Sequence, residues 1–292
     1  MILDVKELTL TDLQSFLQHA VAPRPICLAS TINRNGDVNL SPFSFFNLFS
    51  IHPPLVIFSP SRRVRDNTTK HTLQNVQEVP EVVINMVDYS MVQQVSLSSC
   101  EYPAGVNEFT KAGLTMEPAI AVLPPMVQES KVKLECRVQE IIALGKEAGA
   151  GNLVLAEVLH IHINETVMNE QGKIDQQKLD LVARLGGDFY SRTNESSLFT
   201  VPKPNVALGI GMEELPTSVR HSQVLTKNHL AQLANVTTRP TIDPLYEDDF
   251  LDETLARNPE AEYVLHCHAK TKLEQGKVDE AWQILLRCCD TR

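Results

Sequence analysis

Short apolar runs separated by turn residues fill the chain up to about residue 204. ICLASTI (26–32) leads through a turn into VNLSPFSFFNLFS (38–50), and PPLVIFSP (53–60) follows. The pair Asn35-Gly36 supplies the positive φ that a tight hairpin turn needs. The pattern therefore predicts a β-hairpin followed by a third, buried strand, which its two prolines restrict to the strand start.

The remaining pattern up to residue 204 continues with strands and only brief helices. An amphipathic helix is predicted to open at Thr11, with Gln14 at the capping-box spacing. Strands are predicted at 81–87, 132–144 and 153–163, a helix at 69–79, and a turn at 169–173. Short strands with few helices favour a closed or split antiparallel β-barrel over a sheet of alternating strands and helices.

The pattern changes beyond residue 204. The segment 238–249 is rich in proline and acids, which is typical of a linker. Asn258 and Pro259 are expected to start a helix that runs to Gln275 and ends at Gly276, and a second helix follows. The predicted domains are a barrel at 1–204, an extension and linker at 205–248, and an α-helical hairpin at 249–292. One hairpin cannot bury its own apolar face, so we expect it to pack on the barrel or on a partner chain.

Composition narrows the range of partners and compartments. The chain has 292 residues and a net charge of −10, which argues against binding to nucleic acid through the phosphate backbone. The apolar runs are too short to cross a membrane, and the N-terminal segment does not resemble a secretory signal. A cytoplasmic protein that binds small molecules or other proteins is expected. Its six cysteines form no CxxC pair, so they are predicted to be free buried thiols, and any redox chemistry must come from a cofactor.

Common cofactor and metal motifs are missing from the sequence. GIG at 209–211 lacks the third glycine of a dinucleotide fingerprint. His266, Cys267 and His268 are adjacent on a predicted helix, where neighbours face different directions. His160 and His162 share a strand face but lack a third ligand. No metal site is predicted.

Small polar side chains form a band along the first three strands. These hydroxyl and amide residues alternate with phenylalanines, which suits a flat heteroaromatic ring with a polar rim. The members of the band are Ser30, Thr31, Ser41, Ser44, Asn47 and Ser59, and the interleaved rings are Phe43 and Phe45.

A basic loop follows the third strand and leads into the helix at Thr72. It carries Arg62, Arg63, Arg65 and Lys70. Free N–H groups and the positive end of the helix dipole make such a helix start a phosphate site. A ring site beside a phosphate site predicts a mononucleotide. On composition alone, a solvated loop and a bulged edge strand are the simpler interpretation.

Several consecutive sequence blocks decide between these interpretations. They cover about residues 8 to 204 and include PRPICLAST (23–31), NLSPFSFFN (39–47), KHTLQN (70–75), EYPAGVNEF (101–109) and VARLGGDFY (182–190). In order and spacing the chain resembles the flavin reductase-like proteins with an FMN-binding split barrel. That group includes flavoredoxin and the flavin reductase components of two-component monooxygenases.

The resemblance implies a homodimer with one FMN per subunit and NADH or NADPH as co-substrate. Ser30, Thr31, Phe43, Ser44, Phe45 and Asn47 are then expected along the isoalloxazine. Ser59, Arg62, Arg63, Lys70 and Thr72 are expected at the ribityl chain and phosphate. The resemblance places the segment 101–109 over the flavin, and Arg184, Gly186, Gly187 and Tyr190 near the nicotinamide or substrate. No catalytic acid or base is implied, because hydride moves directly between the two rings.

Three functions remain open from the sequence. The first is an NAD(P)H-dependent flavin reductase or flavoredoxin-like carrier, which would pass electrons to free flavin, to a monooxygenase or to another protein. The second is a non-catalytic flavin-binding scaffold whose helical hairpin recruits a partner. The third is the reduction of another acceptor, such as a ferric complex.

Overall fold

The chain forms two compact units. The computed structural model describes residues 1–202, 207–258 and 261–290. The units are Met1–Phe199 and Thr200–Arg292. The predicted boundary between residues 204 and 205 lies outside the described residues.

The first unit is built on an antiparallel sheet of seven strands in the order β3-β2-β6-β9-β10-β5-β4. Two small sheets, β1-β11-β12 and β7-β8, accompany it. The strands are β1 (Arg24–Pro25), β2 (Cys27–Ile32), β3 (Val38–Phe43), β4 (Phe46–Ile51), β5 (Pro54–Phe58), β6 (Glu81–Met86), β7 (Met116–Glu117), β8 (Met126–Val127), β9 (Val132–Ala143), β10 (Asn152–Ile163), β11 (Val182–Arg184) and β12 (Tyr190–Arg192).

The connection between β3 and β4 closes the large sheet. These strands occupy its opposite edges, yet only Ser44 and Phe45 separate them in the chain. The sheet must therefore curl until its two edges meet, which confirms the predicted split barrel with short helices. The segment 38–50, predicted as one strand, is two strands with a corner between them. Strict alternation breaks at the adjacent Phe45 and Phe46, a local signal that the single-strand prediction did not use.

Short helices surround the barrel. They are α1 (Leu10–Ala20), α2 (His71–Glu78), α3 (Val92–Ser98), α4 (Glu108–Ala112) and α5 (Gln176–Leu179), with 3-10 helices at Val5–Glu7, Tyr89–Met91 and Glu165–Val167. The predicted cap of the first helix was wrong. Thr9, not Thr11, is the N-cap, and its hydroxyl accepts a hydrogen bond from the Asp12 amide at 3.1 Å.

An apolar cluster fills the barrel and includes Phe43, one of the predicted site residues. Phe43 and Phe58 lie with their ring centroids 5.3 Å apart, and they pack with Val56, Val76 and Ile84 in one cluster. Burying large side chains of this kind contributes roughly 1.5 to 3 kcal/mol each. All six cysteines are free thiols as predicted, but burial was predicted correctly only for Cys27, Cys136 and Cys288. Cys267 and Cys289 are half-buried, and Cys100 is exposed.

The second unit is helical. Its helices are α6 (Thr217–Arg220), α7 (Lys227–Ala234), α8 (Asp249–Arg257), α9 (Glu262–Glu274) and α10 (Val278–Asp290), with a 3-10 helix at Met212–Glu214. The two predicted C-terminal helices are present as α9 and α10. Asn258 is the C-cap of α8 rather than the N-cap of α9, and Pro259 lies outside the described residues. Gly276 follows α9 with a φ of 75°.

Helices of the second unit cover the apolar face of the α9–α10 hairpin. Leu230 and Leu233 of α7 and Leu251 of α8 belong to one buried cluster with Leu265 and Trp282. The Trp282 indole donates a hydrogen bond to the Leu233 carbonyl at 3.1 Å. The hairpin therefore needs neither the barrel nor a partner chain to bury this face, contrary to the sequence expectation. That expectation failed because the helical content of 205–248 was not recognised. Among the described residues, no helix has both the length and the apolar content to cross a membrane.

Candidate functional site

The basic loop between β5 and α2 is held in shape by its own arginine. Arg62 donates hydrogen bonds from Nε to the Asn67 side chain at 2.5 Å and from Nη2 to the Asn67 carbonyl at 2.7 Å. Asn67 has a φ of 58°, in the left-handed region that asparagine tolerates better than most residues. The Arg62 amide also donates to the Ala150 carbonyl at 2.8 Å. Arg62 is thus a structural residue of the loop.

Two further arginines of the loop share one carboxylate. Glu101 accepts a bond from Arg63 Nε at 3.0 Å and one from Arg65 Nη2 at 2.7 Å. Arg63 also donates to the Thr68 hydroxyl at 2.8 Å and to the Thr69 carbonyl at 3.0 Å. Much of the positive charge of this pair is therefore already balanced.

Lys70 is the exception in the loop. It makes no ion pair within the part of the chain that the structure describes, and its ammonium lies 5.4 Å from the centre of the Phe43 ring. Burial, and then the charge of Arg63, lower the pKa of Lys70, while Glu101 acts in the opposite direction. Lys70 is also the N-cap residue of α2, and no side chain caps that helix start. The residue at the uncapped start of α2 is therefore a cation without an ion-pair partner among the described residues.

The corner between β3 and β4 forms the neighbouring surface. Phe45 and Asn47 are exposed and Ser44 is half-buried, whereas Phe43 is only 5% exposed. The Ser59 amide donates to the Phe45 carbonyl at 2.8 Å. The corner thus presents one aromatic ring and short polar side chains, while Phe43 stands behind it in the barrel core.

The remaining predicted hydroxyls lie beneath the surface. Ser30, Thr31 and Thr72 have no exposed surface. Thr31 accepts a hydrogen bond from Asn75 of α2 at 3.2 Å, whereas the Ser30 hydroxyl oxygen has no partner among the described residues. The hydroxyls of these three residues are therefore not available on the surface.

A buried polar network fixes the start of α2, and sequence reasoning did not find it. Thr72 donates to the Asn39 side chain at 2.7 Å, and Asn39 donates to Glu108 at 2.9 Å. Glu108 also accepts a bond from the Leu40 amide at 2.9 Å. Burial raises the pKa of Glu108, and these hydrogen bonds oppose the rise. The available signal was Asn39, a polar residue at a buried position of a predicted strand.

Together these groups suit a phosphorylated planar molecule. An ammonium and helix N–H groups bind an anion such as phosphate. An exposed ring with short polar neighbours suits the edge and face of an aromatic cofactor. The structure brings Phe43, Ser44, Phe45, Ser59 and Lys70 into one region through the Phe43–Lys70 and Phe45–Ser59 contacts.

The C-terminal part of the barrel unit carries the segment 184–190. A Cβ atom on Gly186 would lie 2.1 Å from the ring of His19, so any other residue here would require the His19 side chain to move. Arg184 lies with its guanidinium carbon 4.6 Å from the Tyr190 ring centre. Gly187 has a φ of 57°.

Three of the histidines singled out in the sequence have separate partners. His266 and Ser222 are hydrogen-bonded at 2.7 Å, and His268 and Asp248 at 2.9 Å. His162 is hydrogen-bonded to Glu135 at 2.5 Å. No group of three potential metal ligands occurs among the residues that the structure describes.

Comparison with known proteins identifies the barrel unit. An uncharacterized protein of Aquifex aeolicus strain VF5 is 36% identical over 186 residues, which cover 64% of this chain and 92% of the relative. Nitrilotriacetate monooxygenase component B from Bacillus cereus superposes with a TM-score of 0.64 at 27% identity, covering 69% of this chain and 98% of that one. The 2-nitrobenzoate 2-nitroreductase of Pseudomonas fluorescens superposes with a TM-score of 0.62 at 25% identity, covering 75% and 100%. The family model described as flavin reductase like domain matches residues 19–178, and the chain belongs to this flavin reductase-like family.

Proposed function

We propose that the protein is an FMN-dependent oxidoreductase that accepts hydride from NADH or NADPH and passes electrons to free flavin or to a protein or metal acceptor. The observation that carries the proposal is the unpaired Lys70 ammonium at the uncapped start of α2, beside the polar and aromatic corner of the barrel. In a member of the flavin reductase-like family, this arrangement suits the phosphate and ring of one FMN.

In this proposal Lys70 and the first amides of α2 hold the phosphate. Arg63 contributes charge from the side of the loop, although Glu101 balances part of it. Arg62 keeps the loop in shape through Asn67. The network from Thr72 to Glu108 keeps the helix start rigid, so that its N–H groups are oriented before the ligand arrives.

The ring of the flavin is proposed to lie at the β3–β4 corner. Phe45 offers an aromatic face, and Ser44, Asn47 and Ser59 offer polar groups for the ring edge and ribityl chain. Ser30, Thr31 and Phe43 form the interior support. When bound, FMN supplies the ability to take up hydride, and the protein contributes orientation of the two reactants and exclusion of water.

The similar structures suggest possible acceptors. One is component B of a nitrilotriacetate monooxygenase, and another is a nitroreductase of an aromatic carboxylate. By analogy, we propose that electrons leave this protein to a monooxygenase component or to a small acceptor. We place the reaction in the cytoplasm.

We also propose that the protein is a homodimer. The edge strand β4 exposes Leu48, Phe49 and Ile51, which are 53%, 64% and 76% exposed. An apolar edge strand is normally covered, because its free backbone groups pair readily with another chain. Phe49→Glu together with Ile51→Lys is expected to give monomers in sedimentation velocity. A wild-type protein that sediments as a monomer at micromolar concentration would contradict this part of the proposal.

The central experiment measures flavin binding and reduction by the full chain. The protein is mixed with FMN, separated from free flavin and then mixed anaerobically with NADH or NADPH in a stopped-flow spectrometer. We expect a bound-flavin spectrum that bleaches with at least one of the two nucleotides. Lys70→Gln should lose bound FMN, while Lys173→Gln, at an exposed turn far along the chain, should retain it.

Two other results would change the assignment. A protein that binds no FMN would contradict the proposal. Bound FMN that neither NADH nor NADPH bleaches would favour the non-catalytic scaffold.

A further inference from the structure

A second cleft lies in the barrel unit, away from the residues assigned to FMN. It has a volume of about 410 Å³ and is formed by the start of α3, by β11 and by β12. None of the residues proposed to contact FMN lines it. Small-molecule sites in proteins are commonly clefts of roughly 300 to 1,000 Å³. The cleft is therefore large enough for a ligand of its own.

Two stacked arginine–tyrosine pairs line the cleft. The guanidinium carbon of Arg192 lies 3.7 Å from the ring centre of Tyr89, and that of Arg184 lies 4.6 Å from the ring centre of Tyr190. Both rings remain accessible, with Tyr89 51% and Tyr190 40% exposed. Stacking on a ring holds a guanidinium in a fixed plane, which favours binding of flat anionic groups.

The two arginines differ in their ionic partners. Arg192 makes two hydrogen bonds of 2.7 Å to the carboxylate of Asp180. Arg184 donates to the Gly187 carbonyl at 2.5 Å, and the nearest carboxylate oxygen, on the fully exposed Asp188, is 3.8 Å away. Among the described residues, Arg184 thus has no carboxylate within hydrogen-bonding distance. It is the cation available to a ligand.

The rest of the lining suits a small planar molecule. Val92 and Val182 provide apolar surface, and Gln93, Ser96 and Ser191 provide hydrogen-bonding groups. Aromatic rings and a guanidinium plane stack on another flat ring, while free guanidinium N–H groups bind a carboxylate or a phosphate.

We propose that this cleft binds a planar aromatic ring carrying an anionic group, with Arg184 as the anion-binding residue. Two classes of ligand fit this description, an aromatic carboxylate and a nucleoside monophosphate. That such a ligand exchanges electrons with bound flavin rests on the proposed function. Binding itself does not, because the cleft shares no residue with the basic loop.

The experiment compares charged and neutral ligands of matched shape. Full-length protein without added flavin is titrated by saturation-transfer NMR with benzoate, benzamide, adenosine monophosphate and adenosine at millimolar concentrations. We expect benzoate or adenosine monophosphate to bind about tenfold or more tightly than its neutral counterpart, as for a charge-assisted hydrogen bond. Binding of benzoate alone identifies a carboxylate site, and binding of the nucleotide alone identifies a phosphate site.

Variants assign the binding to the cleft. Arg184→Gln should remove the preference for the charged ligand, Arg184→Lys should retain part of it, and Arg137→Gln on the exposed face of β9 should leave it unchanged. Equal binding of charged and neutral ligands, wild-type binding by a folded Arg184→Gln protein, or no binding of any ligand would each overturn the proposal. Lys70→Gln should leave this binding intact, so failure of the FMN site would be seen separately.

Discussion

An ionic cluster of the helical unit and two cations of the barrel unit differ in their partners. In the helical unit, Asp248 contacts His268 at 2.9 Å and Lys272 at 3.6 Å, and Lys272 also contacts Glu280 at 2.6 Å. In the barrel unit, Lys70 has no ion-pair partner among the described residues, and the nearest carboxylate oxygen to Arg184 is 3.8 Å away. Charges that satisfy one another stabilise a fold, whereas partly buried cations without partners are available to ligands.

The lowered pKa values of Asp248 and Lys70 have different physical causes. Burial alone would raise the pKa of Asp248, but hydrogen bonds from His268 and from the Leu251 amide lower it to about 2. That pKa change reflects the stability of the helical unit. The lowered pKa of Lys70 has the opposite origin, since burial and the neighbouring Arg63 disfavour an ammonium that lacks an anion. A bound phosphate would supply the missing anion and would favour the charged form of Lys70.

The largest effect is expected from the core of the helical unit. Trp282→Ala removes a fully buried indole and its hydrogen bond to Leu233. We expect the free energy of unfolding of this unit to fall by about 3 to 5 kcal/mol, measured by chemical denaturation with circular dichroism. Trp282→Phe is the milder control. FMN affinity should not change, and a parallel loss of flavin binding would contradict the separation of the two units.

The next effect tests the ionic cluster of the helical unit. Asp248→Ala removes the helix cap on Leu251 and the pairs with His268 and Lys272. The free energy of unfolding of the helical unit should fall by about 2 kcal/mol. Asp249→Ala, at the exposed neighbouring position, should lower it by less. Because the pKa of Asp248 is lowered on folding, its contribution is present near neutral pH and is lost as the pH falls from about 4 to about 2. The difference between wild type and Asp248→Ala should shrink over that range, and a constant difference would argue against the ion pairs.

A pH titration of FMN binding tests whether Lys70 is the cation that binds the phosphate. Above about pH 7 the phosphate of FMN is a dianion, and Lys70 must be protonated to bind it. Because the pKa of Lys70 is lowered, FMN affinity should begin to fall at a lower pH than for an ordinary lysine. Fluorescence titration of FMN, with riboflavin as the uncharged control, measures this. Lys70→Arg should move the fall to higher pH, and an unchanged profile in that variant would assign the pH dependence to another group.

The smallest effect is expected at the exposed arginine of the loop. Arg65 is paired with both Asp66 and Glu101 and its side chain is 72% exposed. Arg65→Gln should weaken FMN binding by less than about fivefold, since exposed ion pairs contribute at most about 1 kcal/mol. A loss as large as that of Lys70→Gln in the same titration would show that the pairing with Glu101 does not decide which cation binds.

Much of the fold followed from local patterns. Alternation along β9 and β10 and the Asn35-Gly36 turn are local signals, and the structure confirms both strands and the antiparallel β2–β3 pair. The corner at Ser44 and Phe45 was missed because it is set by closure of the sheet, which depends on strands far along the chain. The helical core was missed because α7 contributes its leucines to helices more than 30 residues away.

The candidate site was also predictable from the sequence only in part. The sequence shows that Arg62, Arg63 and Lys70 lie in one loop before a helix, and it gives them equal weight. It cannot show that Glu101, 38 residues after Arg63, forms an ion pair with it. The position of Phe43 inside the barrel also depends on the fold as a whole. Which residue of a charged loop is left for a ligand is therefore a property of tertiary contacts.

The most direct test of the account is the affinity difference between FMN and riboflavin for the full-length protein and for Lys70→Gln. The two flavins share the ring and ribityl chain and differ only in the phosphate. Wild type is expected to bind FMN about tenfold to a hundredfold more tightly, as for a charged hydrogen bond. Lys70→Gln is expected to lose most of this preference and to keep only the part that comes from the first amides of α2 and from Arg63. Equal binding of the two flavins by wild type, or an undiminished preference in Lys70→Gln, would contradict the phosphate site at α2.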